Sequence, residues 1–229
     1  QLAKIFLRQR IPVLIEKPVT STVAEILDIK AAAEDHDVPV SVVRNHLFSV
    51  PVREARERLA AGELGDLRGV DVVYAGNTLP DEPNRGSWTF ELPGGEFEEG
   101  IPHPLYVGLG VAGYPRSEEH VAATTACYGD YDEGFTYDSL QAQWTTDDEA
   151  LCSVKVLAGG TPQRFMVVHG EEASLFVDLA ASTLIELDRD YLGSPIARGM
   201  SNVDHLLGRI SGSFKNVKAL VERKFSSDW

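Results

Sequence analysis

Apolar residues in the first 45 positions switch between helical spacing and short continuous runs. The continuous apolar run Ile11–Ile15 is typical of a strand buried on both faces of a parallel sheet, and Val38–Val43 predicts the next strand. Residues 2–10 predict the end of a helix, and Thr22 followed by Glu25 predicts the capped start of the next one. The order helix, strand, helix, strand predicts the end of a doubly wound α/β domain.

The pattern changes after residue 44, where short strands begin to follow one another. A charged helix is predicted at 51–61 and an alternating strand at 67–75. Turn residues separate most of the further predicted strands, which lie at 121–128, 138–145, 150–157, 164–169, 174–178 and 183–187. Consecutive strands with short turns predict a mostly antiparallel sheet.

Apolar residues at helical spacing between positions 203 and 221 predict a long final helix. Gly208 and Gly212 each weaken it by about 1 kcal/mol relative to alanine, so we expect a close packing partner beside them. The chain as a whole is predicted to be α/β (α+β). Residues 1–44 form the remnant of a doubly wound domain, and residues 45–229 form a large, mostly antiparallel open-sheet domain with helices on one face.

Composition narrows the classes of partner. The 229 residues are 43% hydrophobic, enough for a substantial core, and no run approaches the about 18 apolar residues of a membrane helix. The formal net charge of −14 repels phosphate backbones, so nucleic acid is not expected as a partner. A salt-adapted source and an ordinary acidic protein both explain this charge.

The two cysteines, Cys127 and Cys152, lie in apolar, strand-like sequence and are expected to be buried, inert thiols. Two cysteines in a chain of this length do not suggest a disulfide framework, so a reducing, cytoplasmic location is expected. No cluster of cysteine and histidine has the spacing of a zinc site, and no metal is predicted.

The first candidate site is the segment Glu16-Lys17-Pro18, directly after a predicted parallel strand. Proline holds the residue before it in an extended conformation, and ligands bind at the carboxyl ends of strands in open α/β sheets. A lysine there can donate to a substrate hydroxyl or stabilise a developing alkoxide. A solvated surface lysine is the alternative.

The second candidate site runs from Gly94-Gly95 to His103. The glycines indicate a close backbone approach or a positive φ angle. Glu99 lies four residues before His103, and a carboxylate beside an imidazole fixes its tautomer and raises its basicity, as a general base requires. Because Gly100 and Pro102 interrupt a regular helix, a helix is expected to begin only near Pro102. A capped helix start with a surface histidine is the alternative.

Weaker candidates lie near the predicted domain junction and around the glycine pair. Arg44 and His46 end the second strand, where substrate contacts are common, and Tyr106 follows His103 by three residues. Trp88 is expected either to stack on a sugar ring or to lie in the core. The remaining histidines show no acidic residue at useful spacing and are expected to be structural or exposed: His36, His120, His169 and His205.

These motifs, in this order, resemble the oxidoreductases grouped around glucose–fructose oxidoreductase, inositol dehydrogenase and the rhizopine-catabolism enzymes (Gfo/Idh/MocA). Val13-Leu-Ile-Glu-Lys-Pro18 resembles the family's Glu-Lys-Pro strand end, and Ala61–Gly65 resembles its turn before a strand. Gly94-Gly95 with Glu99 and His103 is similar to the family's Gly-Gly…Asp-x-Gly-x-His element. His169–Val177 resembles a late turn and strand of the family.

The resemblance implies that Lys17 is the catalytic or substrate-orienting lysine and His103 the general base, with Glu99 in the place of the usual aspartate. Tyr106 stands where many members have a second aspartate. The family's glycine-rich dinucleotide motif lies upstream of Glu-Lys-Pro, so residues 1–44 would be the end of its Rossmann domain, with Glu16, Lys17 and Pro18 beside the cofactor. We therefore expect the chain by itself to bind a dinucleotide weakly or not at all.

The implied activity is hydride transfer between a sugar, polyol or related hydroxyl compound and NAD or NADP. Residues 45–229 would bind the substrate, and the open sheet would form a homo-oligomer. Two alternatives remain from the same resemblance: a non-catalytic dinucleotide or sugar sensor or assembly module, and a relative that cleaves glycosides with tightly held NAD.

Overall fold

The chain folds into two compact units, Gln1–Asn45 and His46–Trp229. The computed structural model describes residues 1–20, 22–76, 78–131, 134–187, 203, 206–210 and 212–214. The predicted α/β class, with a large, mostly antiparallel sheet in the second unit, is confirmed.

The first unit contains two helices and two parallel strands: α1 (Leu2–Arg8), β1 (Val13–Ile15), α2 (Val23–His36) and β2 (Val40–Val42). As the capping pattern predicts, Thr22 Oγ1 accepts the backbone N–H of Glu25 at 3.3 Å. Asp37 ends α2 in the left-handed conformation. The core between the helices and strands is formed by Leu7, Ile29, Ala32, Ala33 and Val38.

The described part of the second unit contains one seven-stranded sheet and the helices α3, α4 and α5, and residues 206–210 and 212–214 are helical as well. Its elements are α3 (Val50–Ala60), β3 (Leu67–Gly76), α4 (Gly95–Gly100), α5 (Pro102–Ala112), β4 (Val121–Ala126), β5 (Ser139–Thr145), β6 (Leu151–Ala158), β7 (Gln163–Gly170), β8 (Ser174–Asp178) and β9 (Thr183–Leu187). Three short 3-10 helices accompany them, at Asn45–Phe48, Ser87–Glu91 and Glu118–His120. All six strands predicted after residue 120 are present within a few residues of their expected ends.

The strands are ordered β4-β5-β6-β3-β7-β8-β9. Strand β3 is central and pairs parallel with β6, with Val72 opposite Val154, and antiparallel with β7, with Val72 opposite Met166. All other pairs are antiparallel. The parallel pair arises because the chain leaves β3 through α4 and α5 and returns to its side only after the β4–β5 hairpin.

Helices cover one face of this sheet: α5 packs on β3 and β6, and α3 packs on β8 and β9. The covered face is apolar, and its central residues are fully buried: Val70, Val72, Val154, Met166, Val168, Leu175 and Val177. Gly108 lets α5 approach closely, since a Cβ at this position would lie 2.8 Å from the indole of Trp144.

The opposite face of the central strands carries polar groups. The ring Nε2 of His169 lies 2.9 Å from Asp71 Oδ2, and the Ser153 hydroxyl donates to the other oxygen of the same carboxylate. The sequence spacing gave no sign of this acidic partner of His169. The partner is 98 positions away in the chain, and it is the register of β3 with β7 that brings the two together.

The two glycines of the predicted final helix pack against β9. A Cβ at Gly208 would contact Ile185 at 3.6 Å, and one at Gly212 would lie 2.8 Å from the Thr183 side chain. The described part of this segment therefore has the close partner that its glycines predict. Its apolar side chains Val203, Leu206, Leu207, Ile210 and Phe214 are exposed. Ser201, Asp204, His205, Val217 and Val221 lie outside the described residues.

The two cysteines are in different environments. Cys152 lies in the core as predicted, and burial raises the pKa of its thiol to about 11. Cys127 is exposed, so the prediction that it is buried is wrong. It follows the end of β4, where the chain has already left the sheet.

Candidate functional site

The glycine pair of the second predicted site brings two backbone segments together at the start of α4. Gly95 has a φ angle of +55°, and a Cβ there would overlap the carbonyl oxygen of Pro80, which accepts the backbone N–H of Glu96 at 3.0 Å. At Gly94, a Cβ would lie 2.9 Å from the ring of Tyr137. The predicted close approach and positive φ angle are both present.

Two acidic side chains of α4 meet one cation. Arg85 Nε lies 3.8 Å from a carboxylate oxygen of Glu96 and 3.8 Å from one of Glu99, and the Arg85 backbone N–H donates to Glu96. Both carboxylates are largely buried, at 3% and 8% exposure, and the arginine places an opposite charge beside them. The proposed orientation of His103 by Glu99 stays a prediction.

His103 lies in the first turn of α5, which begins at Pro102 as predicted. The irregular segment expected before Pro102 is instead a helix. Helix α4 immediately precedes α5, and the linking residue Ile101 has helical backbone angles. The His103 ring nitrogen Nδ1 lies 2.9 Å from the hydroxyl oxygen of Tyr106, one turn later. The spacing of three residues on a helix thus produces a direct hydrogen bond between the two side chains.

His46 packs against this pair from a separate segment, the 3-10 helix Asn45–Phe48. Its ring stacks on the ring of His103, with centroids 4.6 Å apart and planes inclined by 20°. Its backbone N–H donates to Tyr106 Oη at 3.3 Å. A close approach of α5 allows this packing, because a Cβ at Gly110 would lie 2.7 Å from the side chain of Leu47.

Tyr74 of β3 completes the group. Its hydroxyl lies 2.9 Å from His46 Nδ1, and the guanidinium of Arg164 lies 5.8 Å from the centre of its ring. Burial raises the pKa of the Tyr74 phenol well above its usual value, so it stays protonated while imidazoles titrate. We call His46, Tyr74, His103 and Tyr106 the histidine–tyrosine cluster.

The cluster can hold and move a proton. Each imidazole has one ring nitrogen hydrogen-bonded to a tyrosine hydroxyl, which can donate to a neutral imidazole and accept from a protonated one. Both tyrosines are buried and both histidine rings are half-buried, so the groups are fixed in place but not sealed from solvent. Such a histidine is suited to accept a proton from a hydroxyl compound or to return it.

Of the predicted site residues, the structure brings His46, His103 and Tyr106 together and places Glu99 in an ion pair with Arg85. Trp88 is 42% exposed, so the core alternative for it is wrong. Its indole N–H donates to the Arg85 carbonyl oxygen at 2.9 Å, which fixes the ring without burying it. A role in stacking on a sugar stays a prediction.

Two residues of this region were not identified from sequence. Tyr74 occupies an apolar position of an alternating strand, so its pattern predicts a core side chain and gives no sign of its hydrogen bond. Arg85 lies in a loop rich in Gly, Pro, Asp and Asn. Glu96 and Glu99, two of the three acidic residues of α4, lie three positions apart, and this spacing was the available sign that a cation lies nearby.

The residues of the first predicted site belong to the first unit. Lys17 lies just beyond β1, and its backbone N–H donates to the carboxylate of Glu16 at 3.2 Å. The peptide bond between Lys17 and Pro18 is cis. The roles of Glu16, Lys17 and Pro18 beside a cofactor, and of Arg44 in substrate binding, stay predictions.

The sequence contains a glycine pattern that has the spacing of a dinucleotide-binding loop but lies in a different structural context. Gly108-Leu-Gly-Val-Ala-Gly113 matches Gly-x-Gly-x-x-Gly, but it follows no strand and lies within and at the end of α5. Gly108 and Gly110 face Trp144 and Leu47, so they serve helix packing. This segment therefore offers no phosphate-binding turn.

The described part of the chain has neither a metal-binding cluster nor a membrane-spanning helix. No three or more His, Cys, Asp or Glu side chains come together there in a way that could hold a metal ion. None of the helices in the same residues combines the length and apolarity that crossing a bilayer requires.

Several solved structures share the fold of this chain. An NAD-binding oxidoreductase from Klebsiella pneumoniae superposes with a TM-score of 0.71 at 19% identity, over 82% of this chain and 55% of that one. An oxidoreductase from Agrobacterium radiobacter, in complex with NAD+, L-tartaric acid and magnesium, superposes with a TM-score of 0.70 at 15% identity, over 82% of this chain and 55% of that one. Levoglucosan dehydrogenase in complex with NADH and levoglucosan superposes with a TM-score of 0.67 at 18% identity, over 81% of this chain and 53% of that one.

This chain therefore spans about half the length of the proteins whose fold it shares. No curated protein sequence matches it. The family model of the GFO/IDH/MocA C-terminal domain matches residues 52–176, more than half of the chain, and this stretch includes β3, α4, α5 and the strands up to β8. The chain belongs to the Gfo/Idh/MocA family of oxidoreductases.

Proposed function

We propose that this chain is the substrate-binding part of an NAD- or NADP-dependent oxidoreductase that acts on a hydroxyl group of a sugar, a polyol or a related compound. The observation that carries the proposal is the hydrogen bond of 2.9 Å between His103 Nδ1 and Tyr106, in a half-buried imidazole stacked on a second one. Family membership and the dehydrogenases that share the fold support the same reaction class.

His103 acts as the general base in this proposal. In the tautomer with its proton on Nδ1, the His103 ring donates that N–H to the oxygen of Tyr106, and Nε2 accepts the proton of the substrate hydroxyl to give the imidazolium cation. The backbone N–H of His46 already donates to that oxygen, which keeps the phenol in position during the transfer. Tyr106 thus serves the orienting function that the resemblance gives to an acidic residue.

The dinucleotide supplies the hydride acceptor when it is bound. The described residues of the first unit fit only the end of a domain that would hold it, since they contain two parallel strands and no glycine-rich turn between a strand and a helix. The residues of this chain that are predicted to lie beside the cofactor are Glu16, Lys17 and Pro18.

The test is an assay of the full-length gene product with NAD and with NADP over a panel of sugars, polyols and sugar acids. We expect reduction of one cofactor, followed at 340 nm, with at least one member of the panel. Dinucleotide binding without turnover of any compound would instead support the alternative that the protein is a non-catalytic sensor. Release of an aglycone without net cofactor reduction would support the glycoside-cleaving relative.

We also propose that the chain self-associates through the face of its sheet opposite α3 and α5, around β3 and β6. Leu151 is exposed on this face, since it pairs with Gly69 and precedes the buried Cys152 in the strand. Light scattering coupled to size exclusion is expected to give a dimer or a larger assembly. Leu151→Glu should dissociate it, whereas Tyr114→Glu, an exposed position outside the sheet, should not. A monomeric wild-type chain would contradict this arrangement.

A further inference from the structure

The buried side chain of Glu96 closes the loop between Pro80 and Arg85. Its backbone N–H donates to the Pro80 carbonyl oxygen at 3.0 Å, and its carboxylate accepts the Arg85 backbone N–H at 3.2 Å. The indole N–H of Trp88 donates to the Arg85 carbonyl oxygen at 2.9 Å. Because Arg85 is held through both of its main-chain groups, its side chain starts from a fixed point, which lowers the entropic cost of binding a ligand.

The guanidinium of Arg85 has donors left for a ligand. Its Nε lies 3.8 Å from one carboxylate oxygen each of Glu96 and Glu99, a distance that suits an ion pair but is too long for a hydrogen bond. In the part of the chain that the structure describes, no hydrogen bond uses this guanidinium. The side chain is 59% exposed and both carboxylates approach it at Nε, so its two terminal amino groups form the accessible end.

Arg85 meets the helix face that carries the proposed general base. This face of α4 and α5 bears four polar side chains: Glu96, Glu99, His103 and Tyr106. Their spacing is three, four and three residues, and the backbone stays helical through the linking residue Ile101, so the four side chains share one face. Since Arg85 contacts Glu99, it lies about one helical turn, roughly 5 Å along the axis, before His103.

The accessible end of Arg85 suits a carboxylate. The planar fork of a guanidinium matches the two oxygens of a carboxylate, and such bidentate, charge-assisted pairs are stronger than hydrogen bonds to neutral hydroxyls. Trp88, three positions further along the same loop, is 42% exposed and offers an apolar ring face. A sugar acid presents both partners, an apolar ring face and a carboxylate, on one molecule.

We propose that Arg85 is a specificity-determining residue: its terminal amino groups bind the carboxylate of a sugar acid, while His103 accepts the proton of a hydroxyl on the same molecule. The inference rests on the proposed function for the reaction and names the substrate class. Selective binding of the acid is measured without turnover, so the two are tested separately.

The experiment compares neutral sugars with the matching acids on the full-length protein in the presence of NAD or NADP. The pairs are D-glucose with D-glucuronate and D-galactose with D-galacturonate, and binding is measured by calorimetric titration. At least one acid is expected to bind about tenfold or more tightly than its neutral partner. Arg85→Gln should weaken binding of that acid by about 10–100-fold, the range of charge-assisted hydrogen bonds, and of the neutral sugar by less than about threefold.

Arg53→Gln is the matched control, because Arg53 is 58% exposed and lies 3.7 Å from Glu57, so a similar exposed ion pair is lost on α3. It should leave both affinities unchanged. A wild type without preference for either acid would overturn the inference, as would Arg85→Gln that weakens acid and neutral sugar equally. If Arg85→Gln does not fold, Arg85→Lys decides: the charge stays but the planar fork is lost, and unchanged binding of the acid would overturn the inference.

Turnover separates this inference from the proposed function. In an active protein, Arg85→Gln should lower kcat/KM for the acid as much as it lowers the affinity, with little change for a neutral sugar, which a merely structural role would not do. Selective binding of an acid without cofactor reduction would overturn the proposed reaction and leave the role of Arg85 intact. Turnover confined to neutral sugars would do the reverse.

Discussion

Replacement of His103 by glutamine is expected to lower the turnover of the full-length protein by about 10²–10⁴-fold, the usual contribution of a general base. Glutamine can still contact Tyr106, but its amide cannot take a proton from a substrate hydroxyl near neutral pH. The loss should appear in kcat and in kcat/KM alike, because the missing interaction belongs to the transition state. Steady-state kinetics with the substrate found in the panel measure it.

His120→Gln is the control for this prediction. His120 is exposed in the 3-10 helix Glu118–His120, where its Nδ1 contacts the hydroxyl of Ser117, and its loss should leave turnover within a factor of about two. A near-normal rate for His103→Gln would remove this histidine from the mechanism. A similar loss in both variants would point to general damage instead of a lost base.

Replacement of Gly95 by alanine is expected to lower the free energy of unfolding by about 2–5 kcal/mol. Two costs combine: an L-residue is strained at a φ angle of +55°, and its Cβ would overlap the Pro80 carbonyl oxygen. Relief requires separating α4 from the loop at Pro80, which would break the hydrogen bond from Glu96 N–H. Urea unfolding followed by circular dichroism gives the difference.

Gly100→Ala provides a matched comparison at the other end of α4. No atom lies within 4 Å of a Cβ built at Gly100, and its φ angle is not positive. Alanine there should be neutral or should stabilise the protein by up to about 1 kcal/mol, through its higher helix propensity. Equal unfolding midpoints for the two alanine variants would show that the start of α4 does not depend on Gly95.

Much of the fold was predictable because it rests on local patterns. The strand β8 and the hydrogen bond that Thr22 Oγ1 accepts from the first turn of α2 lie where periodicity and capping chemistry place them. The exposure of Cys127 shows where a prediction from the neighbouring residues alone fails. Its neighbours resemble a strand, but β4 ends at Ala126, and the end of a strand depends on its pairing with β5.

The candidate site was predictable only where its residues are close in the chain. His103 and Tyr106 are one helical turn apart, so their contact follows from the helix itself. The contact of His46 with Tyr74 joins residues 28 positions apart, and nothing in the pattern of β3 distinguishes Tyr74 from its apolar neighbours. The acidic partner of His169 was missed for the same reason.

The sequence by itself determined the order of the strands and of every described α-helix except α4, the glycine pair that requires a close backbone approach, and the family to which the motifs belong, because each depends on residues a few positions apart. Only the tertiary structure decided that two imidazoles stack, that Tyr74 contacts one of them and that Arg85 joins two buried carboxylates. These contacts depend on sheet register and on how closely α5 packs, which are set by the whole core.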